Sequence, residues 1–193
     1  KRVIASNKVL PELTSKIIAG LKSYQMGDPT DPLCNFGPMA RKDLRDEVHS
    51  QVMLSVKQGA TLVLGGEVPK REGFYYPPTL LMDVKPGMEA FDREIFGPVV
   101  VLIESNGIDD SIVLANQTDY GLGAAIFTND IEFGEKVARE QLQAGAWFVN
   151  GLVGSDPRLP FGGIKLSGYG RELSEEGIKE FVNTKTIVIK NHP

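Results

Sequence analysis

Cysteine is nearly missing from this chain: Cys34 is the only one among 193 residues. A single thiol excludes an intrachain disulfide and accords with a reducing compartment, so a cytoplasmic location is expected. Histidine is almost as scarce, with only His49 and His192. No ligand-spaced cluster of His, Cys, Asp or Glu exists, and no metal is expected. Long apolar runs are lacking, so no segment is suited to span a bilayer. The opening Lys1-Arg-Val-Ile-Ala-Ser6 has no apolar core of the kind a secretion signal needs. Neither sign of charge prevails, since 21 Lys and Arg face 25 Asp and Glu for a net charge of −4. Nucleic acid and anionic membranes are therefore not expected partners. Two nucleotide fingerprints are also missing, Gly-x-x-x-x-Gly-Lys-Ser/Thr and a Gly-x-Gly-x-x-Gly that opens a helix after a strand.

What is present is the composition of an ordinary globular chain, 41% hydrophobic and 24% charged, long enough for a substantial core. Val3-Ile-Ala5 predicts a strand, and Pro11 suits the first turn of a helix whose stripe is Leu10, Leu13, Ile17, Ile18 and Leu21. Leu44, Val48, Val52 and Val56 recur every fourth residue in a second helix closed by Gly59. Thr61 to Leu64 reads as a short buried strand. Phe74 to Met82 is β-rich but holds Pro77 and Pro78, which predicts a sheet edge or ribbon. Val99 to Ile103 is a continuous apolar run typical of a strand buried on both faces. A helix from Ile108 to Asn116, a buried strand over Ala124–Phe127 and a helix capped by Asn129 with Glu132 follow. The remaining predicted elements are a strand over Ala146–Val149, a helix near Leu173–Phe181 and a period-two strand from Thr184 to Lys190. Strands without polar alternation, interleaved with amphipathic helices, predict an α/β fold: a mainly parallel sheet with helices on both faces. Ligands of such sheets lie beyond the carboxyl ends of strands, which directs attention to 104–107, 128–130 and 150–171.

The most unusual stretch is Pro160-Phe-Gly-Gly-Ile-Lys-Leu-Ser-Gly-Tyr-Gly-Arg-Glu172. Glycine at that density allows positive φ and close backbone approach, and a long loop carrying aromatics points to binding or an interface. Cys34 sits in a loop with Asp28 and Asp31, whose charges oppose the thiolate a nucleophile needs; it reads as a passive residue. Glu94, framed by Phe91, Arg93 and Phe96, leaves two readings open. It is either a solvated acid at the start of a strand or a carboxylate that accepts hydrogen bonds from a diol, as in dinucleotide sites.

With Glu94-Ile-Phe-Gly-Pro98 and the glycine-rich run in view, the chain resembles the C-terminal part of the NAD(P)-dependent aldehyde dehydrogenases. The ordered set Gly27-Asp-Pro29, Gly37-Pro-Met39, Gly65-Gly66, Tyr76-Pro-Pro-Thr79, Asn116, Tyr120-Gly-Leu122, Val149-Asn150 and Phe161-Gly-Gly163 extends that likeness along the chain. Met39 to Glu47 is most similar to bacterial succinate-semialdehyde dehydrogenases. The resemblance implies oxidation of an aldehyde through a cysteine thiohemiacetal, hydride transfer to NAD or NADP, and hydrolysis by a glutamate-activated water. It places the Gly-Gln-x-Cys nucleophile and the general base upstream of Lys1, so no catalytic residue is assigned here. The 193 residues alone are expected to be inactive and to bind no cofactor. By the same resemblance Glu94 and Phe96 contact the nicotinamide ribose, Ser155 holds a substrate carboxylate and Phe161 lines the aldehyde tunnel. It further implies a catalytic domain over 1–183 and, over 184–193, a strand that joins a neighbouring subunit in a homo-oligomer. Competing readings are a general aldehyde dehydrogenase, a stand-alone binding or assembly module, and a hydrolase built on Cys34.

Overall fold

Alternate side chains along Val99–Ser105 enter two different apolar layers, and that division organises the first half of the chain. In the computed structural model, which describes residues 2–190, this strand (β4) lies inside a four-stranded sheet. Arg2–Ser6 (β1) pairs parallel to it on one side and Thr79–Met82 (β3) parallel on the other. Thr61–Leu64 (β2) adds antiparallel to β3, giving the order β1-β4-β3-β2. Val99, Val101 and Ile103 join Ile4 and Leu81 on one face, while Leu102 joins Val3, Ala5 and Leu80 on the other.

Each face has its own helices. Leu10–Lys22 (α1) covers the second face with Leu10, Leu13, Ile17, Ile18 and Leu21. Lys42–Lys57 (α2) covers the first with Val48 and Val52, aided by Ala90 and Phe91 of Glu89–Asp92 (α3) and Leu114 of Ile108–Asn116 (α4). Gly59, at φ 111°, ends α2 in a backbone region that side-chain-bearing residues avoid. Arg2 secures the sheet edge to α4, donating to the carbonyls of Leu114, Ala115 and Gln117 at 3.1 Å each, while its guanidinium stacks 4.8 Å from the Phe91 ring centre.

The chain divides into two compact units, residues 1–117 and 118–193. The second holds a parallel two-stranded sheet, Gly123–Ile126 (β5) beside Ala146–Val149 (β6), with Ile131–Glu140 (α5) inserting Val137 beneath it. A short helix, Ser174–Lys179 (α6), follows the glycine-rich segment.

Several expectations need correction. β3 is an interior, buried strand because Pro77 and Pro78 precede it rather than interrupt it. β2, expected to be buried, is an edge strand that alternates exposed and half-buried residues. β5 is likewise half-exposed and stops before Phe127, which is 66% exposed. Asp130, not Asn129, caps α5, its carboxylate accepting from the Phe133 amide at 2.9 Å. Residues 184–190 form no strand, and Ile187, Val188 and Ile189 are exposed. A strand exists only beside a partner strand, and among the described residues this stretch has none. The rest of the 184–193 strand, with His192, lies outside the described residues. No described helix is long and apolar enough to cross a membrane.

Candidate functional site

Glu94 and Phe96 flank Ile95, and that spacing sets their geometry. In extended chain, neighbours i and i+2 share a side. Ile95 is buried in the core, so Glu94 and Phe96 face outward, with Phe96 80% exposed. The backbone beneath them is fixed from several directions. Gln51 on α2 donates Nε2 to the Glu94 carbonyl at 3.3 Å and to Glu89 Oε1 at 3.2 Å. The Thr79 amide at the start of β3 donates to the Pro98 carbonyl at 2.9 Å, and the Val99 amide to Gly97 at 2.8 Å. Gly97 lies so close to α2 that a Cβ there would stand 2.7 Å from Cγ2 of Val48.

The Glu94 carboxylate itself has no hydrogen-bond or ion-pair partner among the described residues. An exposed, unpaired acceptor pair beside an exposed aromatic face suits a vicinal diol attached to a flat ring. The two hydroxyls donate to the carboxylate while the ring edge packs on Phe96. The ribose and nicotinamide of NAD or NADP fit that description.

Ser155 and Phe161 belong to the second unit and follow β6. Phe161 is half-buried and pinned by two backbone hydrogen bonds with Glu172, at 2.9 and 2.7 Å. The glycine-rich run around it folds on itself. A Cβ on Gly145 would stand 1.7 Å from the Gly162 carbonyl oxygen, and Arg171 Nη1 ties the carbonyls of Gly163 and Gly170 at 3.1 and 2.6 Å. The Ile164 amide donates to Gly121, whose own amide donates to the Ser167 hydroxyl at 2.9 Å. These glycines serve backbone-on-backbone packing; the ring of Tyr169, fully exposed, is the only aromatic of the run left open to solvent.

Ser155 is exposed, and its hydroxyl has no partner among the described residues. Beside it Asp156 accepts from Arg158 three times: amide 2.9 Å, Nε 2.9 Å and Nη2 2.6 Å. Those hydrogen bonds hold the Asp156 carboxyl below its usual range and raise Arg158 above its own. Arg158 is already committed to a carboxylate, which leaves the Ser155 hydroxyl as the free donor of this turn.

The remaining titratable candidates carry no site. Cys34 is half-buried, and its thiol is pushed up first by desolvation and then by Asp31 and Asp28, away from the reactive thiolate. His49 packs against Tyr76, with Nδ1 3.4 Å from the phenol oxygen. Burial drives that phenol up to about 12. No three His, Cys, Asp or Glu residues are grouped to hold a metal among the described residues.

Two structural tasks are not read from the sequence, that of Gln51 and that of Asn150, which enters there only within the Val149-Asn150 motif. Gln51 lies one helical turn beyond Val48 on the buried face of α2, a position its periodicity could have marked. Asn150 ends β6 at φ 54°, and its place before Gly151 was the available signal for a left-handed turn.

Residues 1–187 match the model of the aldehyde dehydrogenase family. An NAD(P)+ succinate semialdehyde dehydrogenase of Escherichia coli (strain K12) is 44% identical over 187 residues, which are 97% of this chain and 40% of that protein. An NADP+ succinate-semialdehyde dehydrogenase of Mycobacterium leprae (strain TN) is 42% identical over 189 residues, or 98% of this chain and 41% of the relative. The crystal structure of succinic semialdehyde dehydrogenase from Streptococcus pyogenes with NADP+ superposes with a TM-score of 0.94 at 37% identity, covering 99% of this chain and 42% of that one. The chain thus spans about two fifths of the length of the relatives it matches.

Proposed function

Because the chain belongs to the aldehyde dehydrogenase family, we propose that it forms part of the cofactor- and aldehyde-binding surface of an enzyme that oxidises succinate semialdehyde to succinate with NAD(P)+. The observation that carries this reading is the free Glu94 carboxylate beside the exposed Phe96 ring, both held by a backbone anchored to α2 and β3. When bound, NAD(P)+ supplies the hydride acceptor. Glu94 orients it by accepting from the nicotinamide ribose, and Phe96 packs against the ribose and ring. Ser155 donates to the distal carboxylate of the semialdehyde, and Phe161 walls the passage along which the aldehyde approaches. The Gly-Gln-x-Cys nucleophile motif does not occur in the 193 residues. Thiohemiacetal formation and, after hydride transfer, hydrolysis of the resulting thioester therefore draw on other residues of the enzyme, and the 193 residues by themselves give no turnover. The exposed stretch 184–190 adds as a strand to a neighbouring subunit, which makes the enzyme a homo-oligomer.

The test compares kcat/KM for succinate semialdehyde and for butanal in the full-length protein, with NAD+ and NADP+ in turn. The semialdehyde is expected to be preferred, and Ser155→Ala to reduce that preference about tenfold or more, since a hydrogen bond to a charged group contributes about 1.5–3 kcal/mol. Equal rates on both aldehydes would make Ser155 an ordinary loop residue of a general aldehyde dehydrogenase. No turnover of either would overturn the assignment of activity itself.

A further inference from the structure

The parallel pair β5–β6 ends on an unusual residue. The Asn150 amide donates to Ile126 at 2.8 Å, the last backbone bond of the ladder. Beyond it the chain cannot continue as strand, because Asn150 sits at φ 54° and turns away. Thr128, the next position on the β5 side, would be left with an amide and a carbonyl unpaired. The Asn150 side chain takes both: its Oδ1 accepts from the Thr128 amide at 2.8 Å, and its Nδ2 donates to the Thr128 carbonyl at 2.8 Å. The side-chain amide imitates one further peptide unit of the ladder while the main chain leaves the sheet. Thr128 passes the constraint on, since its hydroxyl accepts from the Asp130 amide, and Asp130 caps α5.

Few residues meet both demands. Asparagine tolerates the left-handed region better than most side chains and carries a donor and an acceptor on one planar group. Glycine meets the first demand and lacks the second. Aspartate offers acceptors only and would face the Thr128 carbonyl with its charge.

The segment launched from this point bears Ser155. Residues 151–155 make no hydrogen bond among the described residues. Hydrogen bonding resumes at Asp156, where the Leu159 amide donates to its carbonyl at 2.9 Å, and at Pro157, whose carbonyl accepts from the Ser174 amide at 3.0 Å. Val153 of the 151–155 segment lies against Gly123 of β5, where a Cβ on the glycine would stand 2.6 Å from Val153 Cγ1, so Ser155 is held between Asn150, that contact and the Asp156–Leu159 turn. Phe161 is pinned separately by Glu172. We infer that Asn150 is a positioning residue for substrate choice: it aims Ser155 at a carboxylate on the substrate, while the aldehyde passage at Phe161 is held independently of it. This inference rests on the function proposed above.

The experiment uses the full-length protein and measures KM and kcat for succinate semialdehyde and for butanal in wild type, Asn150→Gly and Asn150→Asp. Asn150→Gly keeps the backbone conformation and removes the bridge to Thr128. It is expected to raise KM for the semialdehyde about tenfold, with kcat and both butanal constants within about twofold of wild type. A general loss of structure would lower both aldehydes together and would overturn the inference, as would an unchanged preference. Failure of both variants to fold would show Asn150 to be a structural residue only, and also overturns it. Wild type without preference for the semialdehyde would instead defeat the substrate reading on which the inference stands.

Discussion

At the scale of single residues, the two outward side chains of the 94–98 segment have different physical tasks. Phe96 offers area, whereas Glu94 offers charge and direction. Glu94→Gln keeps the shape and one acceptor but loses the charge that strengthens both hydrogen bonds to a diol. In the full-length protein the variant is expected to weaken NADH or NADPH binding about tenfold or more, a hydrogen bond to a charged group being worth about 1.5–3 kcal/mol. Fluorescence titration of the reduced cofactor measures this without turnover. An unchanged dissociation constant would return Glu94 to the status of a solvated acid. The sequence left that choice open because residue type says nothing of orientation. Only the burial of Ile95 decides that its neighbours face outward, and only the absence of a partner shows the carboxylate to be free.

At the scale of elements, the seat of that segment is the contact between Gly97 and α2. Val48 is 2% exposed and branched at Cβ, so its methyl groups cannot swing aside from a new Cβ at 2.7 Å. Gly97→Ala is expected to destabilise the protein by about 1–3 kcal/mol and to loosen cofactor binding by displacing Glu94. Adding Val48→Ala reopens the space. Chemical denaturation of the two single variants and the double variant should reveal a coupling energy between them; strict additivity would show that the segment is seated elsewhere. The helices were legible in the sequence because a stripe repeating every three or four residues is a local signal, as in Leu44, Val48, Val52 and Val56. Strand order was less so. β2 and β3 exchange the places that residue type suggests, since pairing depends on distant segments and Pro77-Pro78 precede β3 rather than lie within it. The site residues came from motif resemblance. Gln51 left only a faint trace in residue type, and Asn150 entered with the Val149-Asn150 motif while its hold on backbone groups showed only in the structure.

At the scale of the whole molecule, the described chain ends in apolar residues with nothing laid over them. Ile187 and Ile189 are 73% and 84% exposed, and Val188, pointing the opposite way in any extended conformation, is 73% exposed. Such a stretch gains backbone partners and buries both faces only by adding to a sheet edge. Replacing Ile187 and Ile189 together by lysine is expected to shift the full-length protein to a smaller assembly in sedimentation velocity. An unchanged oligomer would locate the subunit contacts elsewhere.

The register of the central sheet has a temporal consequence as well. β1 spans Arg2–Ser6, yet the strand it pairs with, β4, begins at Val99. Roughly ninety residues separate the two strands, so at about 5–20 residues per second β1 leaves the ribosome about 5–20 s before β4. During that interval Val3, Ile4 and Ala5 are without the β4 edge they pair with in the sheet. A segment that waits in this way is a natural client for chaperones, and its assembly closes a long loop late, as slow, non-local topologies do.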